Sequence, residues 1–315
     1  MSESDDKLIK IFKKNPVYVS AHNDADGVTS AVLLSYALPT KTVFPKNFGE
    51  VDPSYDIIVD QVPRDATFSN IVFDHHPGHP DEANRGYTLV YDTVPASLIV
   101  YRFVKNKIPK HMLWKVVVGV CGDGQPELIP TEVWDACPEL CNEIVMNKRG
   151  KYGKYVGSVP MWDSLSAPIN YACRLAKAGP ELAYNLLRSF ITPLDLIREP
   201  AFKSCRDEII KDIEATVDGL QLVDCGKVIF GEIRSENKIE SLISYRYLKK
   251  SKVVCMVNSH SKSISIRGVY TKWLLDKLQP KGWEVGGHAG FAGGNLGAKT
   301  AKELLKDIMK ACNGE

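Results

Sequence analysis

His22-Asn23-Asp24-Ala25-Asp26-Gly27 is the stretch on which the reading of the fold turns. The apolar residues 17–20 before it predict a buried strand. The apolar run 28–38 after it is of helical length, so the hexapeptide occupies a strand-to-helix turn. His22, Asp24 and Asp26 alternate with smaller residues, and a two-residue period in extended backbone points all three side chains the same way. One imidazole and two carboxylates converging there suit a hard or borderline divalent cation. Asp26-Gly27 begins the predicted helix, where a carboxylate caps and glycine lets backbone come close to a ligand. Taken alone, the hexapeptide also fits an acidic N-cap turn; the rest of the chain decides.

From residue 16 onward strands alternate with helices. Strands are predicted at 17–20, 42–44, 57–59, 71–73 and 88–91, and helices at 28–38, 95–104 and 112–120. The alternation implies an α/β fold, with a mostly parallel, doubly wound N-terminal sheet domain. Ligands gather beyond the carboxyl ends of the strands in such sheets. The polar residues follow that rule: His22, Asp24 and Asp26 after the first strand, Asp60 after 57–59, and Asp74-His75-His76 after 71–73. Asp123, in Gly122-Asp123-Gly124, follows the helix 112–120. His22, Asp24, Asp26, Asp60, His75 and Asp123 are too many ligands for one catalytic ion that must keep open positions. They suit two ions sharing a carboxylate, and pairs roughly 3.5–4 Å apart recur in phosphoryl transfer, activating water and offsetting phosphoryl charge. Carboxylate and imidazole ligands without thiolates favour manganese, with magnesium, cobalt and zinc open.

The 315 residues are 44% hydrophobic and 25% charged, enough for two globular domains. A net charge of +2 neither demands nor forbids nucleic acid, because a local basic patch can hide in a neutral total. The N-terminus MSESDDKLIK is polar and acidic, unlike a signal peptide, and no apolar run reaches membrane-spanning length. The eight cysteines lack Cys-x-x-Cys spacing, and Cys137 and Cys141 stand four apart, as in helix packing. A reduced, cytoplasmic protein with no membrane partner is expected.

Residues 131–200 carry helical patterns, such as 181–190, and the basic, tyrosine- and glycine-containing segment from Asn147 to Tyr155. That segment reads as a solvated loop or as a track for a phosphate backbone with stacked bases. Residues 201–220 have apolar positions at helical spacing and predict a connecting helix. The expected division is a domain over 1–200, a connector over 201–222 and a smaller α/β domain over 223–315. In the last, strands are predicted at 227–232, 253–258 and 263–268, and helices at 240–248 and 271–278. Arg267 lies on a strand and suits either a phosphate or an ordinary salt bridge. Gly286-Gly287-His288-Ala289-Gly290-Phe291-Ala292-Gly293-Gly294 reads as a glycine-rich turn feeding a helix over 299–309. Backbone amides at such a turn make an anion site, to which His288 adds a donor.

The hexapeptide and Asp74-His75-His76 resemble the first and third motifs of the DHH phosphoesterase family, which includes RecJ-type exonucleases, nanoRNases and phosphodiesterases of linear or cyclic dinucleotides. Asp60 and Asp123 fall where its second and fourth motifs stand, with Glu127 an alternative to Asp123. Gly286-Gly287-His288 is similar to the GGH signature of the DHH-associated domain, although Phe291 stands where that pattern favours alanine. The resemblance spans residues 22–294. It implies that His22 and Asp24 hold one ion, Asp26, His75 and Asp123 the other, and that Asp60 bridges them. It further implies that His76 touches the scissile phosphate, that Asp74 orients the histidines, and that Arg267, Gly286, Gly287 and His288 grip the substrate across a cleft, with the connecting helix as hinge. The expected activity is manganese-dependent hydrolysis of single-stranded DNA or short RNA oligonucleotides from the 3′ end, releasing nucleoside monophosphates. The alternatives are a cyclic-dinucleotide phosphodiesterase or small nucleotide phosphatase, and a catalytically silent nucleic-acid-binding or scaffold protein. A homodimer and a replication or repair partner are both compatible with the resemblance.

Overall fold

A computed structural model describes residues 10–314 except 12, 46–50, 53, 64–65, 67–69, 82–83, 151–152, 178 and 289, and not the side chains of 146–150, 153–156 and 288. The chain divides into two compact units, Met1–Cys173 with Ala178–Cys205, and Arg174–Lys177 with Arg206–Glu315.

The first unit is built on five parallel strands: β1 (Val17–Ala21), β2 (Thr40–Val43), β3 (Ile57–Val59), β4 (Ile71–Asp74) and β5 (Thr88–Tyr91). Their order is β2-β1-β3-β4-β5. β3 and β4 are buried throughout, as strands covered on both faces must be. Helix α1 (Ala25–Ala37) follows β1, and its residues from Ala25 to Leu34 are all buried. That fits a helix apolar on all sides and surrounded by others. It packs against α2 (Ala96–Val104), α3 (Trp114–Gly122), α5 (Ser166–Cys173) and α6 (Gly179–Ser189). Ile58 and Val72 join a separate small cluster with Val51 and Tyr87.

The strand order reverses direction between β1 and β3, where neighbouring crossovers leave the sheet in opposite senses. This is the switch point at which open α/β sheets bind ligands. The two turns that leave it begin at His22 and Asp60.

Helix α4 (Thr131–Ala136) leads to β6 (Glu143–Gly150) and β7 (Gly153–Pro160), which pair as an antiparallel hairpin. The basic segment from Asn147 to Tyr155 is therefore largely strand rather than loop, although its tip, 151–152, and its side chains lie outside the described residues. Tyr155, Val156 and Val159 are strand-favouring residue types, a signal masked in sequence by the lysines and glycines around them. Cys137 is buried at the end of α4 while Cys141 is exposed, so the two do not share a packed face. Helix α7 (Pro193–Arg198) precedes the long α8 (Pro200–Asp218).

The second unit has a six-stranded sheet, ordered β12-β13-β11-β10-β9-β8. Its strands are β8 (Leu222–Asp224), β9 (Val228–Ile233), β10 (Val253–Asn258), β11 (Ser263–Gly268), β12 (Glu284–His288) and β13 (Phe291–Asn295). α10 (Thr271–Leu278) and α11 (Ala301–Asn313) share one core with Val253, Cys255, Ile264, Ile266 and Ala292. Helix α9 (Glu240–Tyr247) packs against β10 and β11, where the Ser244 hydroxyl donates to Ser265 Oγ on the opposite side of β11 from that core (3.3 Å).

The glycine-rich segment is not the turn its composition suggests. It forms the β12–β13 hairpin, and the last helix begins later, at a capping box made by Thr300 and Glu303. The glycines allow close strand approach: a Cβ on Gly294 would lie 2.2 Å from the Glu284 carbonyl oxygen, and one on Gly287 (φ +145°) 2.4 Å from that of Phe291. Among the described residues, no helix is long and apolar enough to cross a membrane.

Candidate metal centre

The strand-to-helix turn after β1 is tightened by Gly27, where a Cβ would sit 2.3 Å from the His22 carbonyl oxygen. Asp24, not Asp26, caps α1, its Oδ1 accepting from the Gly27 amide at 3.0 Å. Asp26 lies within the first turn of α1 but serves a different helix. Its Oδ2 and Oδ1 accept the Ala96 and Ser97 amides that open α2, at 2.6 and 3.0 Å. The Asp26 carboxylate thus occupies a helix N-terminus that favours anions, and its position is fixed from two directions. α3 comes close enough to bring in Asp123 at its end only because Gly119 and Gly122 lack side chains. A Cβ on Gly119 would lie 2.3 Å from Ser97 Oγ and 3.0 Å from Asp26 Oδ1.

These constraints bring the six expected ligands together. His22, Asp24 and Asp60 form one group whose donor atoms all lie within 4.8 Å of one another, and Asp26, His75 and Asp123 form a second. His22 Nδ1 is 2.9 Å from Asp24 Oδ2 and 3.3 Å from Asp60 Oδ2. His75 Nε2 is 3.1 Å from Asp123 Oδ2 and 3.4 Å from Asp60 Oδ1. The two oxygens of Asp60 therefore face different groups. Asp60 is 1% exposed and has φ +60°, a left-handed conformation tolerated by aspartate and asparagine but uncommon otherwise. Glu127 is exposed on the short turn Pro126–Leu128 and joins neither group.

Burial, with Asp24 and Asp26 alongside, pushes Asp60 well above the usual carboxylate range. Burial, with Asp26, Asp60 and Asp24 nearby, pushes Asp123 up to about 9. Burial also raises Asp26. Burial works against ionisation of Asp24, but the charge and hydrogen bonding of His22 and the Gly27 amide outweigh it and hold Asp24 low. Burial disfavours the His22 cation as well, yet Asp24 and Asp60 raise its imidazole well above the ordinary value. Asp60 Oδ1 is buried and has no hydrogen-bond partner among the described residues. Crowded carboxylates that resist ionising together, a buried oxygen left over, and oxygen and imidazole donors without thiolate fit a pair of divalent cations.

Asp74 closes β4 and is fully buried. Its Oδ1 accepts the His75 amide at 2.9 Å and lies 2.8 Å from His76 Nδ1; its Oδ2 lies 2.8 Å from His79 Nε2. Burial opposes its charge, but the histidine hydrogen bonds outweigh that and hold it below the usual range. His79 Nδ1 continues to the Tyr87 hydroxyl at 2.6 Å. Sequence reasoning missed His79. The signal was present in His75-His76-Pro77-Gly78-His79, where Gly78 at φ +102° turns the chain back toward Asp74. Asn170 was missed too; its Oδ1 accepts the Ala25 amide at 2.9 Å, and its distance in sequence gave no hint.

In the second unit Arg267, Gly286, Gly287 and His288 fall on β11 and β12, on either side of β13. Arg267 Nη1 donates to the carbonyls of Ile266 and Ala292 at 2.9 and 2.5 Å. The His288 backbone pairs with Phe291, and its side chain lies outside the described residues.

The chain has the DHH-family fold. RecJ from Thermus thermophilus, solved in complex with Mn2+, superposes at TM-score 0.68 with 14% identity, over 99% of this chain and 54% of that one. The chain thus spans about half the length of that RecJ. The DHH domain of a member of a family of ribosomal proteins superposes at 0.61 with 15% identity, over 98% of this chain and 92% of that domain. CDC45 from Entamoeba histolytica superposes at 0.54 with 9% identity, over 98% of each chain. No protein-family model and no curated protein matches the sequence.

Proposed function

We propose that the chain is a divalent-metal-dependent phosphodiesterase that trims short single-stranded DNA or RNA from the 3′ end and releases nucleoside monophosphates. The observation that carries this reading is Asp60, a buried carboxylate whose two oxygens face two separate ligand groups. The fold shared with RecJ, a protein crystallised with Mn2+ and with Mg2+, supports it.

His22, Asp24 and Asp60 would hold one ion and Asp26, His75, Asp123 and Asp60 the other, with manganese favoured. Two such ions, when bound, supply an activated water at neutral pH and offset charge on the phosphoryl oxygens. In the overall reaction the oxygen of water joins phosphorus, and the bond to the 3′ oxygen of the remaining strand breaks. Asp74 stays ionised, accepts a hydrogen bond from His76 Nδ1–H and leaves Nε2 of that half-buried ring to meet a phosphoryl oxygen. The His79 Nε2 proton, directed at the other oxygen of Asp74, prevents the carboxylate from rotating away. Arg267, Gly286, Gly287 and His288 bind the nucleotide.

Digestion of DNA and RNA oligonucleotides of graded length, labelled at either end, tests the proposal with manganese and magnesium compared. A ladder shortening from the 3′ end, with mononucleotide product, is expected. Hydrolysis confined to dinucleotides would replace the exonuclease reading with the dinucleotide phosphodiesterase. Absence of hydrolysis under both metals would overturn it.

A further inference from the structure

Strand alternation sorts the side chains of the second unit's sheet. Ile264, Ile266, Val285 and Ala292 enter the core with α10 and α11, so Arg267, Gly286, Phe291 and Gly293 belong to the opposite face. Helix α9 covers that face chiefly over β10 and β11. Beyond it lie the paired glycines Gly286 and Gly293, both exposed, which make a floor of bare backbone. Among the described residues a Cβ on Gly286 would meet nothing within 4 Å, so their packing does not demand glycine there. Glycine in a strand that packing does not explain marks close approach by another group.

The floor is bounded by aromatic rings. Tyr245 on α9 and Phe291 on β13 are 49% and 53% exposed, with centroids 6.4 Å apart and planes inclined at 49°. The Arg267 guanidinium carbon lies 5.9 Å from the Tyr245 centroid and 5.7 Å from that of Phe291. Backbone carbonyls anchor its Nη1, and its buried Nε has no hydrogen-bond partner among the described residues. Glu240 and Arg174 both act on it electrostatically, and among the described residues no carboxylate forms an ion pair with it. A fixed guanidinium beside two exposed rings and an exposed glycine floor matches the two needs of single-strand binding, a stacking surface and a phosphate counter-charge.

We infer that Phe291 and Tyr245 form a stacking seat for an unpaired nucleobase on the glycine floor, with Arg267 neutralising the adjacent phosphate. This rests on the single-strand reading above and adds a recognition rule: the seat takes an exposed base of any sequence and has no use for a bare sugar-phosphate end.

The test is a binding cycle on the 315-residue chain in EDTA, where turnover is silenced. Fluorescently labelled short oligonucleotides are titrated, intact or with the 3′-terminal base removed to leave an abasic sugar. Wild type is expected to bind the intact strand about 10-fold or more tighter than the abasic one. F291A should lose a similar factor on the intact strand and no longer distinguish the two. F291W should restore the preference, and F291L should not, because leucine keeps apolar contact without a planar face. Independent, multiplicative losses would overturn the seat, as would a leucine variant that behaves as wild type. Hydrolysis with manganese is followed on the same preparations. Turnover without coupling between Phe291 and the base rejects the seat and leaves the phosphodiesterase standing; coupling without turnover does the reverse. Absence of both binding and turnover rejects both.

Discussion

Asp60 combines a side-chain demand with a backbone one: its carboxylate faces both ligand groups, and its φ of +60° is a conformation few residues accept. Asp60→Ala and Asp26→Ala should each lower turnover by more than the roughly 10–100-fold that loss of a supporting group costs, with oligonucleotide binding less affected. Steady-state kinetics beside equilibrium binding check this, and substantial activity in either variant refutes the two-ion assignment. His79→Ala leaves Asp74 Oδ2 without its partner and should destabilise the chain by about 1–3 kcal/mol, read by denaturant titration. Protonation gives a further prediction. Asp26, Asp60, Asp123 and His22 all bind protons more tightly folded than unfolded. Their contribution is full at low pH and is lost as pH rises through their folded values, up to about 9 for Asp123. Asp24 and Asp74 run the other way, and their contribution fades only in acid, below the ordinary carboxylate range. The melting temperature of the metal-free chain should therefore fall from about pH 5 to pH 9, while the increment from added manganese grows. A flat profile in EDTA would contradict the proton-loaded cluster.

Elements explain which parts of this arrangement could be read from sequence. Strands β1, β3 and β4 were legible because each is a short, largely apolar run closed or followed at once by an acidic or histidine residue. The caps were less so, since a carboxylate's partner can lie far along the chain: Asp26 serves the amides of Ala96 and Ser97, across seventy positions. The hairpin β12–β13 misled for another reason. Six glycines lie between 286 and 297, and composition alone suggests a turn, whereas register with β11 turns most of them into strand residues. Close helix packing was equally hidden, because Gly119 becomes meaningful only beside Ser97. Gly119→Ala should force α3 away from α2 and cost about 1–3 kcal/mol of stability, with a matching loss of manganese-induced thermal shift as Asp26 and Asp123 separate. An unchanged shift would mean that the ligand groups do not depend on this contact.

Across the whole molecule, the ligand groups lie entirely in the first unit and Arg267 with its aromatic neighbours in the second. Substitutions in the two should therefore be distinguishable by their effects. Arg267→Ala should raise KM or Kd, by about 10-fold for a hydrogen-bonded charge, whereas Asp60→Ala should chiefly lower kcat. A pure loss of kcat at saturation in Arg267→Ala would argue against a binding role.

The left-handed backbone at residue 60 has a consequence for lineages descended from such a protein. Once chemistry is no longer selected, the carboxylates at 24, 26 and 123 can drift freely, but position 60 still has to close its turn. Asparagine or glycine is the replacement it accepts most cheaply. An inactive descendant should thus keep a recognisable scar at this one place after its other acids have gone.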